Sequence, residues 1–183
     1  MRMLPNPSSF VDPKAVIHAL PEAPEGTVVD FGCGAGYFSI AFARAVGDRG
    51  RVIAIDVLPS ALEALQSQAK LFGLRNLETK RANLERDGGS GLSSESADWV
   101  IAKDILFQNR DKGSILREIF RVLRPSGRAI IMEWGETSGM NVGPEAGVRV
   151  EPEILRSLLA ETGFSDIRDI PVGAFHYAFL VSK

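Results

Sequence analysis

Apolar positions along the chain fall into two alternating rhythms. Short unbroken runs, TVVDF at 27–31, RVIAID at 51–56, DWVIAKD at 98–104 and RAIIMEW at 128–134, have the length and branched character of strands covered on both faces. LETKRAN at 77–83 is a weaker strand of the same kind. Between these runs the apolar residues recur three and four positions apart. Phe38, Ala41, Phe42 and Ala45 mark a helix over 37–46, and Ile115, Leu116, Ile119 and Leu123 mark another over 111–123, stopped by Pro125 and Gly127. Helices over 59–73 and 151–163 each open with proline and close with glycine, the usual asymmetry of helix ends. A short helix is expected over 11–20. The stretches 84–97 and 135–147, rich in glycine and small polar residues, read as loops.

Strand and helix alternate five times, and then two strands, 165–172 and 176–183, follow each other across the short turn GAF. Alternation predicts a parallel sheet with helices on both faces, and the short final turn makes the last pair antiparallel. The expected fold is α/β, a doubly wound seven-stranded sheet in the order 3-2-1-4-5-7-6 with strand 7 reversed. It forms a single domain over 1–183, with 1–24 as an N-terminal lid or helix segment and 25–183 as the core.

Composition narrows the function. With 183 residues, 45% hydrophobic and 24% charged, the chain is long enough for one well-covered core. A net charge of −2 supplies no field that would draw it to nucleic acid or to an anionic membrane. Cys33 is the single cysteine and no apolar run approaches a membrane span, so the expected setting is reducing and cytoplasmic. Gly32, Gly34 and Gly36 stand where the first strand hands over to a helix, beside the switch point at which open α/β sheets bind ligands. A dinucleotide loop spaces its glycines G-x-G-x-x-G. Here the spacing is G-x-G-x-G, Tyr37 follows, and Asp30 precedes the loop. A carboxylate there suits a ligand with an ammonium group better than a pyrophosphate.

VVDFGCGAGYFSIAFA at 28–43 resembles the first motif of the class I S-adenosylmethionine-dependent methyltransferases. VIAIDVLPSAL resembles the second motif, KRANLE stands in the place of the third, and the stretch from ADWVIAKD to RAIIMEW resembles the fourth and fifth strands with their helix. EPEILRSLLAETGFSDIRDI resembles the late helix and sixth strand, so the likeness spans about 22–183. The resemblance implies the Rossmann-like methyltransferase fold, with S-adenosylmethionine as cofactor and S-adenosylhomocysteine as product. It assigns Gly32, Gly34 and Gly36 to the methionine part, Asp30 to its amino group and Asp56 to the ribose hydroxyls. It assigns Val57 and Asn83 to the adenine, and Lys103 to the border between sulfonium and substrate.

The acceptor is read by exclusion. No N/D-P-P-Y/F/W run follows the fourth strand, as an aminopurine or glutamine enzyme would carry, and no cysteine is placed for cytosine C5 chemistry. One cysteine is too few to hold trivalent arsenic. Asp104 lacks the Asp-Asn partner pair of the metal-dependent catechol type, so no metal is expected. The remaining resemblance is to the small-molecule group related to quinone-biosynthesis methyltransferases. Phe10, Phe107, Trp134, Met140 and Phe175 are expected near the mouth of the site, with 1–20 and 135–147 as its lid. His176, at the start of the last strand, is a candidate general base together with Lys103, an imidazole being suited to proton transfer near neutral pH. The competing expectation is a buried histidine satisfied by a carbonyl at the turn. The rival functions are a non-catalytic S-adenosylmethionine-binding regulator and a nicotinamide-dependent oxidoreductase.

Overall fold

A computed structural model describes residues 11–136 and 142–183. The chain runs α1 (Pro13–His18), β1 (Thr27–Phe31), α2 (Tyr37–Val46), β2 (Arg51–Asp56), α3 (Pro59–Leu71), β3 (Leu77–Arg81) and β4 (Ala97–Lys103). It continues through α4 (Lys112–Val122), β5 (Leu123–Trp134), α5 (Pro152–Thr162), β6 (Ser165–Asp169) and β7 (His176–Ser182). The seven strands form one sheet in the order β3-β2-β1-β4-β5-β7-β6. All pairings are parallel except those of β7, which runs against both β5 and β6. The order and the reversed strand are those expected from the alternation.

Burial follows position in the sheet. All five residues of β1 are buried, whereas the edge strands β3 and β6 are largely half-buried or exposed. Val29 and Phe31 face one apolar layer with Ile115, Leu116 and Ile119 of α4 and Leu155 and Leu159 of α5. Val28 faces the other with Val16 of α1 and Phe38 and Phe42 of α2, and α3 extends that layer through Leu62 and Leu65. Side chains of a strand alternate between faces, so Asp30 is directed toward α2. β1 lies between β2 and β4. The reversal of strand order therefore falls between β1 and β4, and a crevice opens beyond their carboxyl ends.

Three boundaries differ from the expected ones. The first helix is shorter, Pro13–His18, because Asp12 caps it at one end by accepting the Lys14 N–H at 3.0 Å. β5 starts at Leu123 rather than at 128. Leu123 pairs with Ala97, the ladder resumes at Arg128 opposite Trp99, and 124–127 form an excursion in which Ser126 takes φ +66°. β6 ends at Asp169, so the link to β7 is longer than GAF. Among the described residues no helix is long and apolar enough to cross a membrane.

Candidate functional site

The link from β1 to α2 is shaped by three glycines at positive φ, +71° for Gly32, +51° for Gly34 and +84° for Gly36. The N–H groups of Gly32 and Cys33 both donate to the Ile55 carbonyl, at 2.8 and 2.9 Å, which fastens the loop to β2. A Cβ on Gly32 would come within 2.9 Å of Ile105 Cδ1, while one on Gly34 would meet nothing within 4 Å. Gly34 borders a cleft of about 440 Å3, within the size range of small-molecule sites. Gly36 stands one step back from that cleft. It opens α2 against Leu65, and no side chain caps the helix there.

Asp56 ends β2 and faces the same cleft. Its Oδ2 accepts the Gly34 N–H at 2.8 Å and its Oδ1 accepts the Leu58 N–H at 2.9 Å. Each oxygen keeps acceptor capacity for a further donor. Val57 and Leu58 line the cleft with exposed apolar side chains. Asn83 lies on the same wall, with its Oδ1 already accepting the Glu85 N–H at 3.0 Å. Asp30 does not line the cleft. It is buried beneath the loop, where the Ser39 hydroxyl donates to it at 2.5 Å, and burial pushes its carboxyl up to about 6.

The opposite wall comes from the end of β4 and the segment 104–109, which contributes Asp104, Ile105, Gln108 and Asn109. Lys103 lines it as well and forms an ion pair with Asp104. Asp104 holds φ +55°, a conformation rare for a residue with a side chain and one that concentrates at functional sites. From β7, 72 residues later, His176 Nε2 reaches the same carboxylate at 3.2 Å from Oδ1 and 3.3 Å from Oδ2. The His176 side chain is thus buried, as the competing expectation had it, but its partner is a carboxylate and not a carbonyl of the turn; its Nδ1 is buried without a partner among the described residues, and the ring does not line the cleft. The His176 ring packs on Trp134 with centroids 4.2 Å apart. Tyr177 points to the other face, its hydroxyl donating to the Val150 carbonyl at 2.7 Å.

Sequence reasoning considered Asp104 only as a metal ligand and passed over Glu133. Both sit beside this wall, and Glu133 accepts the Leu106 N–H at 2.6 Å. Of the aromatic residues expected at the mouth, Phe175 belongs to the interior at 1% exposure. An apolar ring at the foot of an antiparallel pair packs under the sheet end instead of facing solvent. Trp134 and Phe107 are half-buried. Phe10 and Met140 lie outside the described residues, as does much of the expected lid, residues 1–10 and 137–141.

Comparison with known proteins agrees with this geometry. A family model described as a methyltransferase domain matches residues 22–149. The arsenite methyltransferase of Halobacterium salinarum is 28% identical over 81% of this chain and 36% of its own length. The ubiquinone/menaquinone biosynthesis C-methyltransferase UbiE of Haemophilus ducreyi is 31% identical over 60% of this chain and 41% of its own. The chain thus spans about two-fifths of the length of these curated relatives. A solved S-adenosylmethionine-dependent methyltransferase from Aquifex aeolicus superimposes with a TM-score of 0.84 at 23% identity, covering 97% of this chain and 93% of that one. With a seven-stranded sheet in this order, a glycine loop and strand-end acid at its switch point, and a family model matching most of its length, the chain belongs to the methyltransferase-domain family of class I S-adenosylmethionine-dependent methyltransferases.

Proposed function

We propose that this chain binds S-adenosylmethionine in the cleft between the glycine loop and segment 104–109, and transfers its methyl group to a small-molecule acceptor. The observation that carries this reading is Asp56, whose two oxygens are held toward the cleft by the N–H groups of Gly34 and Leu58. Such an acid is built to receive a vicinal pair of hydroxyls, as a ribose presents. Val57 and Leu58 offer an apolar shelf to the adenine, and Asn83 offers its Nδ2 to the ring edge, its oxygen being engaged. Asp30, buried beneath the loop, acts on the amino group through water, and the bare backbone at Gly34 lets the methionine part lie close.

The cofactor supplies an electrophilic methyl, which leaves the protein to orient the acceptor, exclude water and manage one proton. Lys103 and Asp104, which line the cleft, are the groups placed for the proton, and His176 stands buried behind Asp104. The His176 Nε2–H, donating to Asp104, holds that carboxylate in place from behind. The acceptor's proton would pass to the Asp104 carboxylate as the acceptor's lone pair forms the new bond to the methyl carbon and the C–S pair returns to sulfur. The single cysteine, buried and with its thiol pushed up by burial and by Asp30, argues against an arsenic acceptor, which needs several thiolates.

A panel of small hydroxylated, aminated and enolic compounds, assayed with S-adenosylmethionine for release of S-adenosylhomocysteine, tests the reading. Turnover of at least one compound is expected. Asp104→Asn should then lower kcat by about 100-fold, at the low end for loss of a general base, and His176→Asn, which removes only the brace behind that carboxylate, should lower it less. Cofactor binding without turnover across the panel would favour the regulator.

A further inference from the structure

β5 is apolar and buried from Ala129 to Met132, and then places Glu133 in the same interior at 0% exposure. A carboxyl so placed costs several kcal/mol unless donors meet it. One donor is the Trp134 N–H next in the chain, and the others come from one segment. Leu106 N–H binds Oε1 at 2.6 Å, and the Phe107 N–H also favours the charged form. Oε2 has no partner among the described residues. The segment so held is the far wall of the cleft. Leu106 drops its fully buried side chain into the core, Ile105 lies against Gly32, and Asp104, Gln108 and Asn109 face the cleft.

Resting on the cofactor reading above, we propose that Glu133 is a positioning residue: its carboxylate holds segment 104–109 from beneath in the conformation that walls the cleft, and so sets cofactor affinity. The ionised form binds the Leu106 N–H more strongly than the neutral form, because charge-assisted bonds are about twice as strong. Burial pushes the Glu133 carboxyl up to about 7, with the Leu106 N–H opposing and the Asp104 charge adding. The other titratable groups around it are Tyr177, its register partner on β7, and Glu151, which acts on that same tyrosine. Lys103 and His176 engage Asp104.

A raised carboxyl contributes stability below its ordinary range and loses it as pH rises through the folded value. Stability therefore falls from the ordinary value of 4.5 up to about pH 7, and the wall tightens as the folded carboxyl ionises, between about pH 6 and about pH 8. Asp30 titrates lower, at about 6, and is unaffected by a change at Glu133.

The test follows the Leu106 amide by NMR together with S-adenosylhomocysteine binding by calorimetry, in the native chain, Glu133→Gln and Glu133→Ala. In the native chain the amide resonance should shift with a midpoint near pH 7, and in Glu133→Gln it should stay flat. Native affinity should rise by roughly threefold more across that window than that of Glu133→Gln, in which only the smaller contribution of Asp30 remains. Glu133→Ala should bind about tenfold more weakly, the scale of one lost charged hydrogen bond. A native Leu106 amide that ignores pH, or a folded Glu133→Ala that binds as the native chain does, overturns the proposal. If S-adenosylhomocysteine fails to bind the native chain, the cofactor reading falls, and the amide titration still decides whether Glu133 holds the wall.

Discussion

Asp56→Ala is expected to weaken binding of S-adenosylmethionine by about 2–3 kcal/mol, roughly 30- to 150-fold in Kd. Two losses combine. The ribose hydroxyls lose a charged acceptor, and the N–H groups of Gly34 and Leu58 lose the carboxylate that aligns them. The fold should be little affected, since the side chain is turned to the cleft and Ile55 continues to bind the loop through its carbonyl. Asp56→Asn should fall between the two, keeping one oxygen acceptor without the charge. Calorimetry on the folded variants measures this, and an unchanged Kd in the alanine variant would reduce Asp56 to a brace for its own loop.

Gly36→Val is expected to act on stability and not on the ligand. At φ +84° a β-branched residue is strained, at a cost of order 1–3 kcal/mol. Its Cβ would overlap Leu65 Cδ1 and stand 2.9 Å from Cγ. Leu65 is fully buried among Cys33, Ile40, Ala54 and Leu62, where forced overpacking adds about 1–3 kcal/mol. A total of roughly 2–6 kcal/mol is a large share of a typical domain's stability, readable as a fall in the urea midpoint. Gly34→Ala makes the contrast. Its Cβ would meet no protein atom within 4 Å, so only the backbone cost of about 1 kcal/mol applies. Its added methyl would occupy the cleft edge and show as lost cofactor affinity. Equal stability losses in the two variants would contradict this division between the glycines.

The sheet is legible in the sequence because its central strands carry continuous apolar runs and its helices carry proline and glycine at their ends. Those are local signals, and the reversed β7 follows from a single short connection. Asp56 is legible for a related reason, being an acid that ends a buried run where the ligand edge of such a sheet must be. Asp104 and Glu133 are not. What distinguishes Asp104 is a positive φ and the arrival of His176 from a strand 72 residues later, and neither leaves a local pattern. Glu133 does leave one, an acid closing RAIIMEW, but it looks like any strand-end carboxylate in solvent until the segment after β4 folds over it. Phe175 and the start of β5 fail in the opposite sense. Their surroundings are set by distant partners, Gly135 donating its N–H to the Phe175 carbonyl and Leu123 opposite Ala97, which hydropathy along the chain does not report.

The central claim is that the cleft at the β1–β4 switch point is shaped for S-adenosylmethionine and not for a dinucleotide. Calorimetric titration of the native chain with S-adenosylmethionine, S-adenosylhomocysteine and NAD tests it most directly. Saturable one-to-one binding of both sulfur nucleosides is expected, with no heat of binding from NAD. Saturable binding of NAD, with neither sulfur nucleoside bound, would contradict it.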